Sequence, residues 1–485
     1  MSAAPRRQLG LYVTAAIVIA NMIGTGVFTS TGYQANSLHD PLTILLAWVI
    51  GGVIALCGAA AYAELGAMMP RAGGEYVYLR EAYHPSVGFM SGWVSMTAGF
   101  SAPIAVSALA FSAYVGTIFP GLHGGAKWVD LALTIQGHHI FSMSMGAEQA
   151  IAVGLIVAVT LLHVFDTKVG GWVQAAFTAA KVVLIVVFIL GGLIVGRGDW
   201  SHLASQHGGL ANLGTENFAI ALMYVSFAYS GWNAAAYIAS DIKDPARNLP
   251  RALLLGTGVV MVLYVILNLV FFYAVPSDTL AGPATTFKPV VEVGDVAARS
   301  LFGDRAGQLV TIMISLALVS SVSAMVMAGP RVYAAMANDR ALPKFLAYHS
   351  KRGVPTVAVI AQGILGIVFV LIGDLGGLVR FVGFTLAIFA ALTVGALFIL
   401  RARGLSAPFR TWGYPVTPIL FILMSAWIAY AQISANPLES LVVAGVLVVG
   451  GVLYFTLQRF GRSAVEDPGI PAIPEARVVN SPADD

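Results

Sequence analysis

Lys181 lies in a run from Ala176 to Leu190 that is otherwise apolar apart from Thr178. It follows Gly170 by about eleven residues, roughly 16 Å of helix, which reaches the midplane of a hydrocarbon layer about 30 Å thick. An ammonium group at that depth is costly and marks a functional position. The plainer alternative is a side chain that snorkels from a helix end to the interface. Two other stretches offer chemistry through their backbone. One is Met22, Ile23, Gly24, Thr25 and Gly26, and the other is Phe227, Ala228, Tyr229, Ser230, Gly231 and Trp232. Each places glycine and small polar residues, which are poor helix formers, inside an apolar segment. A helix broken at lipid depth leaves N–H groups unpaired on one half and carbonyls on the other. Such ends can hold an anion and a cation together, and an amino-acid zwitterion carries one of each. Close helix packing through small residues explains either stretch taken alone.

These groups need a membrane to work in, and the composition supplies one. Of 485 residues, 58% are hydrophobic and 10% charged, with a mean hydropathy of +0.83. That excludes an ordinary soluble domain. Repeated apolar runs near or above 18 residues predict an all-α integral membrane protein with twelve transmembrane helices. The net charge is +3 and the single cysteine is Cys57. Neither a nucleic-acid patch nor a cysteine metal cluster is expected. No nucleophile–base pair, phosphate loop or metal spacing is present, so the chain is read as neither an enzyme nor a cofactor protein. Most lysines and arginines fall at alternate ends of the runs, among them Arg6, Arg71, Arg247, Arg340 and Arg401. This predicts a cell-membrane protein with both termini in the cytoplasm. The segment Pro120 to Gly146 reads as a loop with a short apolar run at Leu131 to Ile135. Val290 to Leu301 reads as helical, and the tail from residue 461 as disordered. Arg71, Glu75 and Arg80 form a candidate cytoplasmic charge cluster that either latches a gate or is simply solvated.

The two broken stretches lie five spans apart. An odd offset makes the repeats enter from opposite faces, as in inverted-repeat transporters. The motifs then point to one family. Ile23 to Phe28 (IGTGVF), Pro70 to Tyr78 (PRAGGEYVY), Phe227 to Trp232 (FAYSGW), Asp244 to Ala252 (DPARNLPRA) and Gly329 to Pro343 resemble, in order and spacing, the amino acid–polyamine–organocation transporters over about 9–415. The resemblance implies the leucine-transporter fold, with helices 1 and 6 discontinuous. The division is 1–200 for the first inverted repeat, 201–404 for the second, 405–460 for two extra helices, and 461–485 for the tail.

It also implies roles. The N–H groups of Thr25 and Gly26 and the Thr25 hydroxyl would meet a substrate carboxylate. Carbonyls of Met22, Phe227, Ala228 and Ser230 would meet its amine, with Ile23, Gly24 and Tyr229 lining the site. A bulky side chain at Gly24 or Gly26 would fill the space the substrate needs. Phe227 resembles the family's aromatic gate, seconded by Trp232. Lys181 matches a lysine that stands where sodium-coupled relatives hold an ion, and Ala20 and Ser321 are its expected partners. That placement permits either proton coupling or a fixed cation. No acid lies mid-span, and Tyr229 and Trp232 alone make only a partial cage, so neutral L-amino acids are favoured over polyamines or cationic amino acids. The expected function is secondary active transport by alternating access, as a proton symporter or an exchanger. A channel or receptor is the reading from a different class. The expected partners are the amino-acid substrate, the lipid bilayer and protons. No obligate protein partner is evident.

Overall fold

The computed structural model describes residues 9–461, apart from 72, 123–126, 136–137, 166, 206–207, 284–287 and 351–352. The expected disordered tail beyond 461 lies outside the described residues. The chain is nearly all helical. Besides a short turn of helix at Ser277–Ala281, the α-helices in order are α1 (Leu11–Met22), α2 (Gly26–Leu38), α3 (Pro41–Met68), α4 (Glu75–Ala82), α5 (Pro85–Ile118), α6 (Ala147–Phe165), α7 (Thr167–Ile194), α8 (Glu216–Tyr229), α9 (Ala234–Tyr237), α10 (Pro245–Ala274), α11 (Val293–Phe302), α12 (Asp304–Asn338), α13 (Thr356–Ile372), α14 (Leu375–Ala402), α15 (Val416–Ala435) and α16 (Pro437–Gly461).

Among the described residues, eight helices are long and apolar enough to cross a membrane. A ninth span is made if α1 and α2, bent by 40° at their break, count as one. The apolar stretches Thr178–Ile194 and Thr356–Ile372 are shorter, and α8 stops after 14 residues at its own break. Apolar side chains on the outside, such as Val187, Leu309, Leu423 and Val448, remain exposed, as a lipid-facing surface requires.

Helix starts follow local chemistry. Asp40 accepts from the Thr43 N–H at 2.8 Å ahead of Pro41, and Thr215 accepts from the Phe218 N–H. Both satisfy donors that a helix start leaves orphaned. In α5, Ser95–Ser101 widens into a π-helical turn just before Pro103. Proline there cannot donate to the preceding turn, and the backbone accommodates it by loosening.

The core is built by α3 lying along α10, by α5 and α7 against α12, and by α2 against α8. Two ion pairs brace it. Arg401 of α14 makes a two-point pair with Glu64 of α3 at 2.8 and 2.6 Å, and the Thr411 N–H adds a third bond at 2.6 Å. Arg380 of α14 pairs with Glu439 of α16 and donates to Tyr224 of α8.

The segment read as a loop with an apolar run contains a β-hairpin instead. Strand β1 (Val129–Ile135) pairs antiparallel with β2 (His138–Met145), with Val129 opposite Met145 and an irregularity at Leu133/Thr134. The alternation Val129, Leu131, Leu133, Ile135 carries the period of a strand. This hairpin is the departure from the expected all-α fold, which is otherwise nearly all helical among the described residues. The helical reading of Val290 to Leu301 corresponds to α11.

Candidate functional site

The first break consists of Ile23, Gly24 and Thr25, between α1 and α2. Carbonyls at and just before it are already engaged. Lys181 donates to Ile23 at 2.8 Å and to Ala20 at 3.3 Å, and Lys181 itself is 1% exposed. The Tyr264 hydroxyl of α10 donates to the Met22 carbonyl at 2.6 Å. The Thr25 hydroxyl sits 2.6 Å from the Ser107 hydroxyl of α5. The N–H groups of Thr25 and Gly26 have no hydrogen-bond partner among the described residues. They point out of the first turn of α2, where the helix dipole favours an anion.

The second break follows Tyr229. Ser230 leaves the helix at φ −57°, ψ 153°, and its N–H turns back to the Phe227 carbonyl at 3.0 Å. Gly231 then takes φ +97°, a left-handed value that side chains resist. The two breaks touch. A Cβ on Gly231 would lie 2.7 Å from the Asn21 carbonyl oxygen, and one on Gly26 would run into the Ala228 backbone. Gly26 therefore makes room for Ala228. At Gly24 the nearest atoms, the Met22 carbonyl and the Ser321 hydroxyl, stand 3.8 Å from a built Cβ, so space remains there.

The other expected residues take these places. Phe227 is buried at the end of α8. Tyr229 turns towards α3, donating to the Trp48 carbonyl at 3.1 Å. Trp232 packs edge-on to Tyr62 with ring centres 4.6 Å apart. Ser321 donates to Ala317 within its own helix, and the second carbonyl at Lys181 is that of Ile23.

Glu75 departs most from expectation. It is 6% exposed and turns inward, away from any cluster with Arg71 and Arg80. One of its oxygens accepts from Tyr62 at 2.6 Å and from Asn233 at 2.7 Å. Burial pushes its carboxyl above the usual carboxylate range, and those two bonds pull part of the way back. Arg80 pairs instead with Glu81 and with Asp339 at the end of α12. A cavity of about 80 Å³ opens beside the second break, with Ser230, Trp232, Asn233 and Glu75 at one side and mostly apolar residues of α3, α8, α14 and α15 around the rest. Tyr264, Ser107 and this role of Glu75 were not singled out from the sequence. Gly73 and Gly74 ahead of Glu75 were the available signal, since a glycine pair permits the tight turn that aims it inward.

The amino acid permease family model matches residues 9–456. The chain is 26% identical to the b(0,+)-type amino acid transporter 1 of Mus musculus, across 93% of this chain and 88% of that protein. It is 29% identical to the serine/threonine exchanger SteT of Bacillus subtilis (strain 168), across 87% and 90%. It is 26% identical to the large neutral amino acids transporter small subunit 2 of Homo sapiens, across 93% and 80%.

Proposed function

The chain belongs to the amino acid permease family, and from that premise we propose that it exchanges neutral L-amino acids across the cell membrane by alternating access. The observation that carries this reading is the contact between two broken helices, one of which presents the unpaired N–H groups of Thr25 and Gly26. The substrate carboxylate docks on those groups, and its amine on carbonyls of the second break at Phe227, Ala228 and Ser230. The Met22 carbonyl has a second lone pair left after Tyr264. Opening requires the two breaks to separate, with Phe227 as the gating ring. The side chain enters the cavity beside Ser230 and Trp232, past Tyr229.

Lys181 acts as a fixed cation. Its two carbonyl contacts hold Ala20 and Ile23 where a metal ion would otherwise be needed, and this reading requires no proton gradient. The twelve-span topology, the two inverted repeats and the cytoplasmic termini are part of the same proposal, supported by the paired breaks and the distribution of basic residues.

The test is counterflow in liposomes holding unlabelled neutral amino acid, with and without a proton gradient. Counterflow indifferent to the gradient is expected. Uptake that needs the gradient would reassign Lys181 to proton coupling, and failure of every neutral amino acid tested would sink the neutral-substrate reading.

A further inference from the structure

Among the described residues, Glu75 is the one acid on the wall of the cavity beside the second break. The turn before it explains its reach. Gly73 and Gly74 adopt φ of +117° and +50°, the Gly73 N–H bonds the Tyr237 carbonyl, and a Cβ at Gly74 would press 2.8 Å from the Tyr237 ring. The loop thus lies flush against α9 and drives the first residue of α4 into the protein.

The consequence falls on Asn233. A carboxylate can only accept, so the Asn233 amide must turn its nitrogen towards Glu75. The charge therefore fixes an orientation that an amide side chain otherwise leaves ambiguous. Asn233 Nδ2 lies 2.7 Å from Glu75 and 3.5 Å from the Tyr237 hydroxyl, so both of its hydrogens are taken up by these two groups. The amide oxygen is the polar atom left, and Asn233 lines the cavity. The same end therefore presents two acceptors, the Asn233 oxygen and the second oxygen of Glu75, beside the Ser226 and Ser230 hydroxyls. The remaining wall, including Ile54, Leu222 and Phe421, is mostly apolar, with the Ser425 hydroxyl the exception on α15.

We infer that Glu75 is a specificity-determining positioning residue, which holds Asn233 with its oxygen towards the cavity and so selects amino acids whose side chain ends in a hydrogen-bond donor, a hydroxyl first. The inference rests on the cavity being the substrate's side-chain compartment. Threonine and valine have nearly the same shape and differ by a hydroxyl for a methyl, so a site with acceptors waiting separates them by about tenfold or more.

The full chain in liposomes is tested by competing labelled alanine counterflow with threonine or valine. Wild type is expected to take threonine at about a tenfold lower concentration than valine. Glu75→Gln offers Asn233 an amide of either polarity, frees it to flip, and brings the threonine-to-valine ratio towards one. Glu75→Asp keeps the acceptor and restores part of the preference. A merely structural role for Glu75 would weaken both competitors alike and leave the ratio as it was, which overturns the inference, as does a wild type without threonine preference. If Glu75→Gln does not fold, Asn233→Ala decides, since removing the oxygen must also collapse the ratio. Ala387→Phe tests the cavity separately. If filling it leaves both competitors unchanged, the compartment reading fails, whatever Glu75 does.

Discussion

At the residue scale, the buried charges are held by different kinds of partner, and each kind makes its own prediction. Lys181 spans the first break by holding two carbonyls. Lys181→Met keeps the bulk and removes the donors, leaving those carbonyls with an unmet cost of about 1–3 kcal/mol each. Counterflow is expected to fall at least tenfold, while the purified protein still elutes as a single species. The depth of Lys181 was legible in the sequence, because one cation in a long apolar run has few explanations. Its Ile23 contact was not, because the extended backbone at Ile23 exists only once the helix has broken.

Glu75 makes a pH prediction. The ionisable groups facing it are Tyr62 on α3, Tyr78 on its own helix and Tyr237 on α9, and no lysine or arginine contributes to its shift. Burial raises its pKa, so on acidification it takes up a proton at a pH above that of an ordinary carboxylate. A protonated Glu75 can donate to the Asn233 oxygen and turn the amide round. The threonine-to-valine ratio is therefore expected to fall as pH drops through that raised value and to recover when pH is restored. A ratio that stays constant as pH is lowered to the ordinary carboxylate value, about 4.3, would contradict this.

At the element scale, the breaks were readable because glycine and serine at lipid depth oppose helix formation on either side of them. The manner of their meeting was not. From sequence, Gly24 and Gly26 look equivalent, each making space for a substrate. In the structure only Gly24 has room, and Gly26 is pressed on the Ala228 backbone. Gly26→Ala is therefore expected to cost about 1–3 kcal/mol of stability, the usual range for overpacking. Gly24→Ala should melt close to wild type in a thermal unfolding assay in detergent. Equal melting temperatures for the two variants would contradict the packing described here. The β-hairpin was missed for a related reason. Its alternation is short and lies among glycines and histidines, where a loop reading competes well. Only the pairing with a second strand decides the matter.

At the scale of the whole molecule, helices distant in sequence are tied by ion pairs of unequal worth. Glu64 is 2% exposed and takes three hydrogen bonds from Arg401 and Thr411. Arg401→Ala leaves that carboxylate buried without its cation, at an expected cost of about 3–5 kcal/mol. Arg80 and Asp339 form a more exposed pair, with side chains 30% and 47% accessible, and Arg80→Ala should cost under about 1 kcal/mol. Thermal melts of the two variants in one detergent check the ranking, and a larger loss for Arg80→Ala would reverse it. Neither pairing could be read from the sequence, since Glu64 and Arg401 are 337 positions apart and only the folded bundle brings them together.

The contact between the two breaks also bears on how this sequence can change by descent. The obstacle facing Gly231 is a backbone carbonyl, and the obstacle facing Gly26 includes the Ala228 Cα. Backbone cannot be trimmed by a second substitution. A larger residue at either glycine meets backbone that no second substitution removes, and random mutagenesis followed by selection for a folded protein should return glycine at both positions while Gly24 accepts alanine. The interlock works as a ratchet on ancestry: lineages are free to retune the cavity walls, and with them what is carried, but not the joint about which the carrying is done.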